Sequence, residues 1–328
     1  MRHSRHCSKE EATLSSCHAN NALPSAALPA LAAAIAGDGD LACWALLDAA
    51  LVDAGRVQAV CARHGMQVTA AYAGSELDAY GDVGVLLLSL AGSEVHRTAQ
   101  VLQLLELAMP APALSWLYSN ADVGQLQRLC AYLGMARVAE RGQPIHCRFA
   151  DTRVLPVLLA ELSATQVARV SGCVAQWGWV DRNGQYVQWR GAPGGAVADT
   201  HEHLHLSVAQ FRALRAAAEP DAIFMMLCEQ TPSLVPEARV RGDFHARITQ
   251  ILQTASRFNV QDLKSRLQFV VLSLSCGEDF HTLPELHSTW EGVRAGEFLL
   301  VDKMPLWGNA VWERLEYRRP EEERGVLP

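Results

Sequence analysis

Between Gln143 and Trp189 the chain alternates tight turns with short apolar segments, and this stretch restricts the fold more than any other. Ile145 to Phe149 predicts a short strand carrying Arg148, and Asp151 and Arg153 follow it in a turn. Val154, Leu155, Leu158, Leu159 and Leu162 then wrap one helical face. Ser163 is placed to cap a second short helix, and two more strands close on Asn183-Gly184, a pair favoured in type I′ hairpins. The segment holds no nucleophile, phosphate loop or metal pair, so it reads as built to hold a shape.

The preceding residues supply more layers of the same architecture. Leu41 to Leu51 predicts a strand with Asp48 near its end, and residues 55–64 a helix. A loop follows at Tyr72 to Leu77. Asp82 to Leu90 is then almost continuously apolar, as in a strand covered on both faces. Val95 to Met109 has helical spacing and stops at Pro110 and Pro112, Leu114 to Tyr118 is a further buried strand, and Ser119 or Asn120 is placed to cap a helix ending at Gly134. Such an alternation predicts an α/β lobe over residues 40–190, a mixed sheet with flanking helices and a C-terminal hairpin. Gly191-Ala192-Pro193-Gly194-Gly195 marks a linker over 191–200. An all-α lobe is predicted over 201–317, with helices at Val208 to Ala218, Ile223 to Glu229, Asp243 to Phe258, Val260 to Leu274, Leu286 to Leu300 and Leu306 to Leu315. Asn259 is the expected left-handed stop of the third. Residues 1–39 read as a flexible Ala/Pro-rich leader and 318–328 as a charged tail.

Composition narrows the function classes. Half of the 328 residues are apolar, enough for a sizeable core, and a net charge of −7 argues against nucleic acid as a partner. The apolar runs are too short to span a bilayer, so no membrane association is expected. Nine cysteines without a C-x-x-C pair, in a chain of this length, suit a reducing compartment, and the cytoplasm is the expected location. Residues 22–36 imitate a signal-peptide core, but Glu10 and Glu11 precede them and Pro24 and Pro29 interrupt them.

His201-Glu202-His203-Leu204-His205 satisfies H-E-x-x-H. On a helix, His201 and His205 would share a face and hold a zinc ion while Glu202 polarised a bound water. That requires a helix capped at Thr200. A cap at Ser207 would instead leave 201–205 extended. Arg148, Asp151 and Arg153 could form a catalytic acid with an anion clamp, but a salt-bridged turn is the favoured reading. Trp177, Trp179 and Trp189 flank the hairpin, and core or interface packing accounts for them better than base stacking. Trp307 lies in a late apolar segment, Met304 to Asn309. No Walker or dinucleotide loop occurs, and no cofactor is expected.

Cys43 to Ala50, Tyr72 to Ser75, Trp116 with Ser119, and Arg148 to Leu155, taken in this order, resemble the type VI secretion system effector chaperones, the Tap/Tec adaptor family. Cys43 to Ala50 (CWALLDAA) is similar to that family's opening strand, and Tyr72-Ala73-Gly74-Ser75 before Val85–Leu90 to its next step. Trp116 with Ser119 precedes a helix in the same way. Arg148-Phe149-Ala150-Asp151-Thr152-Arg153-Val154-Leu155 is similar to the family's Arg-Phe-Tyr-Asp-Pro-Arg-Val-Leu, with Ala150 and Thr152 departing from it. The resemblance implies a non-enzymatic cytoplasmic adaptor. It would bind a type VI effector, keep it soluble and help load it onto the VgrG spike protein. Arg148, Phe149, Asp151 and Arg153 would be its structural or interaction motif, and Trp177, Trp179, Trp189 and Trp307 its interface aromatics. The alternatives are a zinc-dependent hydrolase using His201, Glu202 and His205, and an immunity protein that neutralises a cognate toxin.

Overall fold

The computed structural model describes residues 17–37, 41–139, 141–192 and 197–318. They form two units. The first runs to Glu219 and takes in Ala238–Val240, and the second comprises Pro220–Glu237 and the chain from Arg241 onward.

Helix α1 (Leu28–Ala36) opens the first unit and buries Leu28, Ala32, Ile35 and Ala36. A flexible leader over 1–39 was expected here. Pro29 reads as a breaker in the sequence, yet it falls in the helix's first turn, where a missing N–H costs nothing. Leu28, Ala32 and Ile35 then follow at helical spacing. Residues 1–16, 38 and 39, also assigned to the leader, lie outside the described residues.

Next come β1 (Ala42–Asp48), α2 (Ala54–Arg63), β2 (Gln67–Ala70), β3 (Val85–Leu90), α3 (Glu94–Ala108), β4 (Leu114–Ser119) and α4 (Val123–Gly134). After them run β5 (Met135–Val138), β6 (Ile145–His146), α5 (Leu155–Glu161), α6 (Ala164–Ser171), β7 (Gln176–Val180), β8 (Tyr186–Arg190) and β9 (Leu204–Leu206). The main sheet has the order β2-β3-β1-β4-β7-β8 with every neighbouring pair antiparallel. Alternation along the strands fills two cores. Leu46, Leu87, Leu117 and Trp177 join Leu126, Leu129 and Leu133 of α4 and Leu155 and Leu158 of α5. Ala45, Leu47, Leu88, Trp116 and Tyr118 join Ile35 of α1, Val57 of α2 and Leu104 and Leu105 of α3. Each fully buried Leu contributes about 1.5–3 kcal/mol, so the two layers provide most of the driving force. The Tyr118 hydroxyl, buried between layers, donates to the Ile35 carbonyl at 2.6 Å near the end of α1.

Some details differ from expectation. Asp122, not Ser119 or Asn120, caps α4, in a reciprocal capping box with Gln125. Ser119 instead donates to the Cys173 carbonyl. The β7–β8 turn is not type I′, because only Gly184 of the Asn183-Gly184 pair takes positive φ. Asp181 Oδ1 accepts from the N–H groups of Asn183 and Gln185, which fixes an ordinary turn followed by a left-handed glycine.

A smaller sheet, β6-β5-β9, joins β5 antiparallel to β6 and parallel to β9. Leu204 and Leu206 are buried in the α4–α5 core, so this segment belongs to the first unit and not to the helical lobe. The expected linker at 191–200 therefore does not separate the units; its residues 193–196 lie outside the described residues. Helix α7 (Val208–Gln230) is continuous where two helices were expected, and Pro220 inside it marks where the units divide.

The second unit is helical. It contains α8 (Arg241–Arg257), α9 (Leu263–Cys276), α10 (His287–Ala295), α11 (Leu300–Lys303) and α12 (Asn309–Tyr317). Asn259 takes the left-handed conformation after α8, as its position predicts. Arg266, buried on α9, donates to the carbonyls of Leu252 and Val260 and so ties α9 to α8 and to the turn that follows it. Phe258, Phe269, Phe280 and Trp290 pack edge-on or tilted with centroids 5.0–6.3 Å apart. Among the described residues no helix is long and apolar enough to cross a membrane.

Candidate functional site

Asp48 ends β1 with its carboxylate buried, and its Oδ1 accepts from the Ala50 N–H at 3.2 Å. One hundred residues later, Arg148 Nη2 reaches Asp48 Oδ2 at 2.7 Å. The same guanidinium lies 4.0 Å from Asp151 Oδ2. Asp151, 2% exposed, is gripped on both oxygens by Arg153 through Nε at 2.9 Å and Nη2 at 2.6 Å, and its Oδ1 also accepts from the Arg153 N–H. Two carboxylates thus face two guanidiniums, and a bidentate pair fixes the turn. The turn is tied further by the Thr152 N–H donating to the Pro112 carbonyl. Phe149 alternates inward from Arg148 and meets Trp177 edge-on at 6.1 Å. The expected salt-bridged turn is therefore present, with its charges mutually satisfied.

Arg148 keeps 40% of its side chain in solvent. Beside it, His146 stacks on the exposed Tyr80 ring at 4.8 Å and lies 3.4 Å from the Tyr72 hydroxyl. Burial lowers the His146 pKa, the Arg148 charge adds to this, and Asp48 opposes it. Burial likewise pushes the Tyr72 phenol far above its ordinary range. A histidine with a depressed folded pKa adds stability that is complete above the unfolded value of about 6.5 and is lost as pH falls through the folded pKa. Melting temperature should therefore decline as pH is lowered from 7.5 to 5, and less steeply in His146→Gln. Parallel curves for the two proteins would contradict this assignment.

Gly134, at the end of α4, lets this corner close. A Cβ there would sit 2.7 Å from both Leu77 Cδ1 and Tyr72 Cε1. Tyr72 and Leu77 are buried and cannot swing away, so Gly134→Ala should cost about 1–3 kcal/mol in a denaturant melt. An unchanged midpoint would mean that the Tyr72–Leu77 loop yields freely.

The His201–His205 segment is not helical. Ser207 and Gln210 form a reciprocal cap that starts α7 at Val208, leaving 201–203 in a loop and 204–206 in β9. The helical zinc geometry of the hydrolase reading is therefore not formed. Instead the His201 and His205 rings stack at 4.2 Å, and His201 Nδ1 contacts Asp199 Oδ1 at 2.5 Å. The Tyr132 hydroxyl donates to Asp199 Oδ2 at 2.7 Å, while Arg169 lies over the Tyr132 ring and donates to the Asp199 and His201 carbonyls. Burial alone would raise the Asp199 carboxyl. The hydrogen bonds from the His201 N–H, Tyr132 and the His201 ring outweigh it and hold the carboxyl below its ordinary range. Burial, then the neighbouring His201 charge, lowers the His205 pKa. Asp199 and His201 are thus engaged in holding the loop.

The aromatics singled out as an interface are mostly core. Trp177 is buried and donates to Ser115 Oγ at 3.0 Å; Trp179 is buried beside it and Trp189 is half-buried. Trp307 is buried in the second unit and donates to Thr289 Oγ1 at 3.2 Å. The ring N–H groups of Trp177 and Trp307 find partners inside, so these two large apolar bodies serve packing rather than docking. His146 and Tyr80 belong to no sequence motif, although His146 sits only two residues from Arg148.

A family model described as a domain of unknown function (DUF4123) matches residues 43–169. The span runs from β1 into α6 and contains Asp48, Tyr72, Arg148, Asp151 and Arg153, but not His201–His205. No curated protein and no solved structure matches the chain.

Proposed function

We propose that this chain is a non-enzymatic cytoplasmic adaptor that binds a type VI secretion effector, keeps it soluble and helps deliver it to the VgrG spike protein. The observation that carries the reading is Arg148: a half-exposed guanidinium held by the buried Asp48 carboxylate and flanked by the stacked His146–Tyr80 pair. Arginine and tyrosine on a preformed surface are favoured anchors for a protein partner. A guanidinium already fixed in place loses little freedom when a partner carboxylate docks on it. The ordered likeness of the Cys43–Ala50, Tyr72–Ser75 and Arg148–Leu155 segments to effector chaperones supports the same role, and the matched family domain spans all three.

An immunity protein would share the binding but not the consequence. Co-expressing the chain with its captured partner in the compartment where that partner is toxic separates the two. An adaptor forms a complex that leaves the toxin's activity intact once delivered, whereas full protection of the cell in fixed stoichiometry would overturn the adaptor reading.

A further inference from the structure

We infer a divalent transition-metal site formed by Glu76, Glu202 and His203, distinct from the H-E-x-x-H pair and independent of the adaptor reading. Glu76 comes from the loop after β2, and Glu202 and His203 from the segment before β9. One ligand atom from each lies within 4.8 Å of the others. A zinc-class ion with bonds of about 2.0–2.2 Å holds adjacent tetrahedral ligands about 3.3 Å apart, so a small inward movement of the two carboxylates completes the set. Both glutamates are exposed and free to make it.

The second observation is His203 itself. It is 7% exposed, its ring makes no hydrogen bond among the described residues, and Nε2 points at Glu76 Oε2 from 3.9 Å, beyond hydrogen-bond reach. The ring is held by burial with Nε2 turned toward Glu76 at the cavity wall, and a metal ion between the two would take that nitrogen as a ligand. The three residues line one wall of a cavity of about 400 Å³, which also bears Arg128 and Arg169. Those cations balance the carboxylates. The site therefore favours an ion bound through an imidazole donor, of the zinc class, over calcium or magnesium held mainly by charge. Its open positions face the cavity. Bound metal would tie together two loops far apart in sequence and stabilise the first unit.

The test uses the full chain, purified without a histidine tag and stripped with chelator, titrated with zinc by calorimetry and with cobalt by absorption. One equivalent should bind, raise the melting temperature and give the visible bands of low-coordinate cobalt. Glu76→Gln, at an exposed position that should not disturb folding, should weaken binding at least tenfold. His203→Gln should do the same, and His205→Gln, at the exposed second histidine of the H-E-x-x-H pair, should leave binding unchanged. No binding by the parent chain, binding unaltered in Glu76→Gln, or binding lost in His205→Gln would each overturn the site.

Discussion

Asp151→Ala should destabilise the first unit by about 3–5 kcal/mol, the cost of removing one partner from a buried charged pair. The carboxylate does several tasks at once. It holds Arg153 through two parallel contacts, accepts the Arg153 N–H and lies within reach of Arg148. Its loss takes the bidentate partner away from a largely buried guanidinium and unpins the turn that delivers Phe149 to the core. For a domain of this size, the melting temperature should fall by roughly 10 °C. Asp151→Asn should fall part of the way, since one oxygen remains to accept the Arg153 N–H. A melt within a degree of the parent for Asp151→Ala would show that the turn is held by its backbone and apolar contacts alone.

Arg148→Gln should act on binding far more than on stability. Arg148 is 40% exposed, so its ion pair with Asp48 is partly screened and its loss should cost about 1 kcal/mol or less beyond the desolvation of Asp48. If Arg148 anchors the partner, the same change should weaken capture about 30-fold, the equivalent of a 2 kcal/mol hot spot. The parent complex should also weaken as salt is raised, because a rim charge is screened within a Debye length of about 10 Å at 0.1 M. Arg56→Gln, at an exposed position on α2, serves as the control and should bind normally. Equal affinity for the Arg148 and Arg56 variants would move the docking surface elsewhere.

Local rules made much of the fold legible. Ser163 with Gln166 forms a reciprocal cap, Asn259 stops α8 in the left-handed region, and the largely apolar Leu114–Tyr118 run is a strand buried on both faces. What escaped was set by distant partners. The strand at Leu204–Leu206 exists because β5 offers it an edge, and a Gly-rich segment before it looked like a domain boundary. The α1 helix depends on a core in which Ile35 fits, which two prolines in its vicinity obscured. The site divides in the same way. Arg148, Asp151 and Arg153 could be read as a salt-bridged turn because they lie within six residues. The Asp48 partner of Arg148, at the end of β1, and the Glu76 neighbour of His203 come from distant segments that only the folded chain brings together. The tryptophans show the limit in another form: an aromatic in a strand has the same spacing whether it faces the core or a partner.

The most direct test of the adaptor reading is the solubility of the products of neighbouring genes, measured in cells with and without this chain, with the tagged chain used to capture what it binds. One large effector should come down with it in fixed stoichiometry and become insoluble or be degraded when the chain is deleted. Neighbouring products that stay soluble in its absence, together with a tagged chain that elutes alone, would contradict it.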